Sequence, residues 1–151
     1  MTQPDDAQFL ADFATLSAFG ATGNGGVEHQ AASEADGEQR AWMAGLLEKY
    51  GAVVEYDEVG NQLGRFELRP RAPYVMVGSH LDSQPTAGKY DGAYGVLAGA
   101  HVAARLTARW REEGHTPTYN SPTTNAPRTA AVSGESRTSR AVAVTGSIHR
   151  S

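Results

Sequence analysis

Residues 74–85 decide the fold, because they carry a short apolar run directly into a polar loop: YVMVGSHLDSQP. A continuous apolar run such as 74–77 is typical of a strand buried on both faces of a sheet, so we expect a central β-strand here. The loop continues to Asp91 with no apolar periodicity. From 92 to 114 the sequence is rich in Ala, Gly, Val and Leu, which predicts a helix that packs closely on the sheet.

The sequence before this stretch predicts two amphipathic helices and a β-hairpin. Apolar residues recur at helical spacing in both helical segments, and Ser33 is suited to cap the second one. The helices are expected at 5–18 and 33–50, and the strands at 52–56 and 62–68. Together with the strand–loop–helix order that follows, this pattern indicates an α/β domain with helices packed on a mixed sheet.

The composition is that of an ordinary globular domain, with 40% hydrophobic and 20% charged residues in 151. No apolar run approaches the roughly 20 residues that cross a bilayer, and the first residues do not resemble a signal peptide. We therefore expect a cytoplasmic protein without a membrane partner. Because the chain has no cysteine, any metal must be held by His, Asp or Glu.

Charge is unevenly distributed along the chain. Residues 1–115 hold 16 acidic and 9 basic side chains, a net charge of −7, whereas residues 116–151 hold 1 and 4, a net charge of +3. An acidic body offers no electrostatic footprint for nucleic acid, and four scattered arginines without interleaved aromatics offer a poor one. We therefore expect no nucleic-acid partner.

Three residues in and after the loop suggest a metal centre. His80 follows the predicted strand, and Asp91 precedes the predicted helix, so both face the crevice at the carboxyl end of the strand. Asp82 lies two residues after His80 and can accept a hydrogen bond from the ring nitrogen that does not bind metal. On its own, His-x-Asp is a weak signal, because a histidine at a strand end is more often structural.

The longer strings resemble a known family. Residues 78–85 (GSHLDSQP), 89–92 (KYDG) and 95–99 (GVLAG), with upstream segments in the same order, resemble zinc-dependent amidohydrolases that include N-carbamoyl-L-amino-acid hydrolase and allantoate amidohydrolase. These belong to the aminoacylase and carboxypeptidase G superfamily of metallopeptidases. The resemblance spans residues 8–114, and it implies the N-terminal part of a three-layer catalytic domain that is incomplete here.

The resemblance also implies roles for the three residues. His80 would bind one metal ion, Asp91 would bridge two, and Asp82 would be the catalytic residue that orients His80. The complete enzyme would hold two divalent ions, zinc first, with manganese, cobalt or nickel as alternatives, and would act on a small-molecule substrate. A family homodimer is implied, although its dimerisation domain is absent here. The peptide bond after Asp91 would be cis.

The chain departs from the family pattern after residue 114. Glu112-Glu113-Gly114 matches the family's Glu-Glu-Gly motif in letters, but these residues end the predicted helix and so lie far from Asp91. Residues 116–151 contain 13 Ser or Thr, which predicts a disordered tail after a domain at 1–115. The abrupt change favours the hypothesis that a frameshift truncated the enzyme.

Three functions are open at this point. The first is hydrolysis of a carbamoyl or ureido C–N bond of N-carbamoyl-L-amino acids or allantoate-like substrates by the full-length enzyme, with the fragment itself inactive. The second keeps the scaffold and acts on a peptide or an N-acyl amino acid, as a metallopeptidase or aminoacylase does. The third is a non-catalytic fragment or binding module that uses an unpaired sheet edge.

Overall fold

The computed structural model describes residues 4–67, 74–113 and 141–147. They form three helices and six strands, with four consecutive strands between the second and third helices. The elements are α1 (Asp6–Leu16), β1 (Gly26–Val27), α2 (Glu34–Lys49), β2 (Val53–Tyr56), β3 (Gln62–Phe66), β4 (Tyr74–His80), β5 (Ala87–Gly88), α3 (Ala93–Glu112) and β6 (Ala141–Ser147).

The first two helices begin at side-chain caps. The Asp5 carboxylate accepts a hydrogen bond from the backbone N–H of Gln8 at 2.8 Å, and the Ser33 hydroxyl accepts one from the N–H of Asp36 at 3.2 Å. Such caps satisfy backbone donors that have no partner inside the helix. The predicted start of α2 is therefore confirmed. None of the helices in the described ranges is long and apolar enough to cross a membrane.

The main sheet has four strands in the order β2-β3-β6-β4. Strands β2 and β3 pair antiparallel as the predicted hairpin, β3 and β6 pair parallel, and β6 and β4 pair antiparallel. The sheet is therefore mixed, and the predicted α/β class is confirmed. Strands β1 and β5 form a separate two-stranded antiparallel sheet.

The position and length of β4 differ from the prediction. Among the described strands it lies at the end of the sheet order rather than in the centre, and it extends through His80. Val75 and Val77 keep 50% and 41% of their surface exposed, so the strand is not buried on both faces. An apolar run predicts a strand, but it does not show whether the strand pairs on both sides or, as β4 does among the described strands, on one side.

Strand β6 lies within the segment for which the composition predicts disorder. Its seven residues, Ala141–Ser147, run between β3 and β4, so the structure differs from the expectation at these positions. Their alternating Ala and Val residues suit a strand. The remaining residues of the predicted tail lie outside the described ranges, and the domain boundary at residue 115 stays a prediction.

Helices α2 and α3 cover the same face of the main sheet. Gly64 of β3 and Val77 of β4 both pair with Val144, and paired residues point to the same face. A β-carbon at Gly64 would meet the Leu47 side chain of α2, and one at Gly99 of α3 would meet Val77. The described part of the chain therefore shows the sheet and one helical layer of the three-layer architecture.

The core fills the space between this face and the helices. Its buried members come from all three helices, from β3 and from the residues after α2 and β4. They are Phe13, Leu16, Met43, Leu46, Leu47, Tyr50, Ala52, Phe66, Leu81, Ala93, Val96, Leu97, Ala100 and Ala104.

The contact between Gly64 and Leu47 gives a test of this packing. An added β-carbon at position 64 would lie 2.8 Å from Leu47 Cδ2, and Leu47 is fully buried, so Gly64→Ala is expected to destabilise the fold by about 1–3 kcal/mol. The matched control is Gly45→Ala in α2, where nothing lies within 4 Å and alanine should stabilise by about 0.5–1 kcal/mol. Urea denaturation of both variants measures this difference, and effects of the same sign would contradict the packing described.

Candidate metal centre

The end of β4 and the start of α3 converge on one point. His80 is the last residue of β4, and Asp91 lies two residues before the first residue of α3. The intervening loop returns through a turn in which the Asp91 N–H donates to the Gly88 carbonyl at 3.0 Å. Asp91 Oδ1 lies 3.9 Å from His80 Nε2. The structure therefore brings together the two predicted metal ligands.

The other ring nitrogen of His80 faces Asp82. His80 Nδ1–H donates to the backbone carbonyl of Asp82 at 2.9 Å, and the carboxylate oxygen Oδ1 lies 3.4 Å from the same nitrogen. A carbonyl can only accept, so Nδ1 carries a proton, and in the neutral ring this leaves the lone pair of Nε2 free. The hydrogen bond from His80 thus runs to the main chain of Asp82 and not to the carboxylate for which it was predicted, and the role of Asp82 in orienting a metal ligand stays a prediction.

A glycine at the start of α3 makes this approach possible. Gly92 caps the helix with φ of 62°, in the left-handed region. A β-carbon there would lie 2.5 Å from His80 Nδ1 and 2.5 Å from the His80 carbonyl oxygen. The described peptide bonds are all trans, the Asp91–Gly92 bond included, so the implied cis bond is not present.

His80 and Asp91 supply part of a ligand set for a hard or borderline divalent cation. An imidazole nitrogen and a carboxylate oxygen are typical zinc and manganese ligands, at about 2.0–2.2 Å for zinc. The side chains of His80 and Asp91 are 30% and 62% exposed, so both can be reached from solvent. Asp82 Oδ1 is buried and has no hydrogen-bond partner in the described part of the chain, which favours a nearby positive charge. Within the described residues, however, no third His, Asp or Glu joins them to complete a ligand group.

The Glu112-Glu113 pair and the described histidine of α3 lie elsewhere. Glu112 ends α3, whose 20 residues span about 30 Å, and Glu113 pairs with Arg109, so the Glu-Glu pair is remote from Asp91 as expected. His101 is buried in α3, where its Nε2–H donates to Asp12 at 2.9 Å. Burial lowers the pKa of His101, which indicates a neutral structural histidine. His115 and His149 lie outside the described residues.

His29 is the residue near the site that sequence reasoning missed. It lies in the loop after β1 and is only 2% exposed, and its backbone exchanges hydrogen bonds with Ser83, next to Asp82. Its Nδ1 contacts Gln39 Nε2 at 2.9 Å, and burial is the main cause that lowers its pKa. The available signal was Gln39 itself, which lies four residues before Met43 on the apolar stripe of α2.

Comparison with known proteins finds relatives among hydrolases and amidohydrolases. The chain is 52% identical over 115 residues to a protein of Mycolicibacterium smegmatis whose name gives only the class hydrolase. It is 40% identical over 93 residues to the N-carbamoyl-L-amino-acid amidohydrolase of a Pseudomonas species. The first alignment covers 76% of this chain and the second 61%. No family model matches the chain.

Solved structures agree with the sequence relatives. A hydantoinase/carbamoylase family amidase from Burkholderia ambifaria superposes with a TM-score of 0.65 at 27% identity, over 95% of this chain. Another from Burkholderia phymatum gives 0.62 at 32% identity, over 94% of this chain. The chain is a homologue of the hydantoinase/carbamoylase amidohydrolases. This amidohydrolase homologue spans 26% and 22% of the two sequence relatives and 30% and 28% of the two structures.

The contact between Gly92 and His80 predicts how this amidohydrolase homologue responds to substitution. Gly92→Ala should displace the His80 ring and destabilise the fold by about 1–3 kcal/mol, because the new methyl group meets the ring and the backbone φ is positive. Gly88→Ala is the control, since nothing lies within 4 Å of that position. Urea denaturation and the NMR resonances of the His80 ring measure both effects. A Gly92→Ala variant with wild-type stability and wild-type His80 resonances would contradict the described contact.

Proposed function

We propose that this chain forms the part of a metal-dependent amidohydrolase that supplies His80 and Asp91 to a divalent metal centre. The observation that carries the proposal is the arrangement around the His80 ring. Nδ1 is held by Asp82 at 2.9 Å, and Nε2 faces the Asp91 carboxylate at 3.9 Å. An imidazole fixed through one nitrogen and directed at a carboxylate through the other is the arrangement of metal-binding histidines.

Each of the three residues has a separate task in this proposal. His80 offers Nε2 to the ion, Asp91 offers its carboxylate, and Asp82 keeps the ring in the tautomer whose free lone pair points to the ion. Two zinc ions are proposed for the whole enzyme, with manganese, cobalt or nickel as alternatives. A divalent metal supplies a Lewis acid for the carbonyl of the scissile bond. The loop after β4 presents its donors to solvent, where a small substrate can approach.

The proposed reaction is hydrolysis of a carbamoyl or ureido C–N bond. Beyond the Pseudomonas protein, relatives are named allantoate amidohydrolase in Bacillus subtilis and ureidoglycolate hydrolase in Arabidopsis thaliana. Each of these names gives a compound that carries a carbamoyl group on nitrogen. N-carbamoyl-L-amino acids and allantoate-like compounds are therefore the proposed substrates of the whole protein. A homodimer and a cytoplasmic location belong to the same proposal.

Metal binding tests the assigned ligands. Wild-type protein should bind zinc, as measured by calorimetric titration, while His80→Ala and Asp91→Asn each weaken binding by at least about tenfold, because each removes a ligand or its charge. Asp82→Asn keeps the main-chain carbonyl that holds His80 and removes only the carboxylate charge 3.4 Å from Nδ1, so it should weaken binding less than the two ligand variants do. Glu38→Gln, an exposed carboxylate on α2, is the control and should leave binding unchanged. Equal affinity in all five proteins would show that zinc binds elsewhere.

The activity of the 151-residue chain is a separate expectation. Purified protein, incubated with N-carbamoyl-L-amino acids and zinc or manganese, should release no ammonia above the blank. The described residues bring together two candidate ligands without a third, and removal of such groups usually lowers rates by several powers of ten. Substantial turnover that disappears in His80→Ala would contradict this expectation while supporting the metal site.

A further inference from the structure

A buried polar cluster holds the turn that follows β4. It consists of Gln39 on α2, His29 in the loop after β1, and Ser83, and we call it the turn clamp. Gln39 and His29 are 0% and 2% exposed. The amide nitrogen of Gln39 lies 2.9 Å from His29 Nδ1 and 2.9 Å from the carbonyl oxygen of Leu81. One side chain therefore joins a helix, a loop and the turn beside the candidate metal centre.

The hydrogen-bond partners fix the orientation of both side chains. The Leu81 carbonyl can only accept, so the amide group of Gln39 must present its NH₂ to it. The second hydrogen of that NH₂ points to His29 Nδ1, which must then be an acceptor. His29 is therefore neutral, with its proton on Nε2. Burial, which lowers its pKa, acts in the same direction.

The backbone of His29 completes the attachment. Its N–H donates to Ser83 Oγ at 2.9 Å, and the Ser83 N–H donates to the His29 carbonyl at 3.1 Å. Leu81 and Ser83 are thus each anchored by the turn clamp, and Asp82 lies between them. The main-chain carbonyl of Asp82 is the group that accepts the His80 Nδ1–H at 2.9 Å.

The chemistry of the clamp favours a positioning role over simple packing. Gln39 Oε1 is buried and has no hydrogen-bond partner among the described residues. An apolar side chain on this stripe would avoid that unfavourable burial. What glutamine provides, and an apolar residue cannot, is a pair of directed bonds to His29 and Leu81.

We propose that Gln39 and His29 are positioning residues for His80. They hold residues 81–83 so that the Asp82 carbonyl keeps the His80 proton on Nδ1 and leaves Nε2 free for a metal ion. The inference rests on the proposed function, because it takes His80 as a ligand. It adds two buried residues to the site, 41 and 51 positions before His80 in the sequence.

The test uses matched pairs of variants in the full 151-residue chain. His29→Leu removes the acceptor for Gln39, whereas His29→Asn restores one, since its amide oxygen can take the place of Nδ1. Gln39→Leu removes both directed bonds. Its control is Gln62→Leu. Gln62 is also fully buried, and its amide also donates to a backbone carbonyl, but that carbonyl belongs to Arg40, at 3.2 Å, and not to the turn.

The measurement is the tautomer of His80 by long-range ¹H–¹⁵N NMR at a pH where the ring is neutral, followed by a zinc titration. Wild type, His29→Asn and Gln62→Leu should show the proton on Nδ1. Gln39→Leu and His29→Leu should show a mixture of tautomers and about tenfold weaker zinc binding. The melting temperature should fall to a similar extent in Gln39→Leu and Gln62→Leu. If Gln39 had only a structural role, its substitution would lower the melting temperature and leave the His80 tautomer unchanged.

Two results would overturn the proposal. The first is an unchanged Nδ1–H tautomer in folded Gln39→Leu and His29→Leu proteins. The second is an equal loss of that tautomer in Gln62→Leu. If the leucine variants do not fold, Ser83→Ala takes their place, because it removes only the hydroxyl that accepts from the His29 N–H. An unchanged Nδ1–H tautomer of His80 in this variant would likewise overturn the proposal. Failure of the proposed function is distinguishable, because zinc would then leave the His80 resonances of the wild-type protein in place.

Discussion

The close approach of helix α3 to strand β4 is the constraint on which the candidate site depends. Three positions on the helix side of this contact are glycines, at 92, 95 and 99. A β-carbon at Gly95 would lie 3.0 Å from Ser79 Cβ, and one at Gly99 would lie 3.5 Å from Val77. At Gly92 the neighbour is His80 itself. Because the helix can lie this close to the strand, the residue just before it, Asp91, reaches the ring of the residue that ends the strand.

Buried polar groups on either side of this contact fix the helices and the turn. On one side, Asp12 of α1 accepts from His101 of α3 and from the Tyr50 hydroxyl at the end of α2, both at 2.9 Å, which joins the three helices. On the other side, the turn clamp joins α2 to residues 81–83. Buried hydrogen bonds of this kind stabilise one arrangement over others, because an unpaired buried group is costly. The site is therefore held from the helical layer as well as from the sheet.

Much of this architecture could be predicted from local sequence patterns. The spacing of apolar residues and the cap at Ser33 predicted α2. The strand residues on either side of a turn predicted the β2–β3 hairpin, and the small residues after Asp91 predicted α3. His80, Asp82 and Asp91 were recognised because they lie within one short segment. That segment resembles a family, and the sequence and structural relatives confirm the resemblance.

The parts that could not be predicted depend on contacts between distant residues. His29 lies 54 positions from Ser83, and Gln39 lies 42 positions from Leu81, so no local period connects them. The apolar run of β4 gave a strand but not its place in the sheet, which depends on the pairing with β6. Asp82 was identified as the partner of His80, yet the choice of its carbonyl over its carboxylate follows from the turn that the clamp holds.

The proposed function depends on His80 and Asp91 binding the same metal ion. The most direct test is a crystal structure of the zinc-soaked protein with data collected at the zinc absorption edge. If both residues bind the ion, an anomalous peak should lie about 2.0–2.2 Å from both His80 Nε2 and an Asp91 carboxylate oxygen, with His80 Nδ1 still bonded to the Asp82 carbonyl. A peak on His80 Nδ1, or zinc bound only at other histidines of the chain, would contradict it.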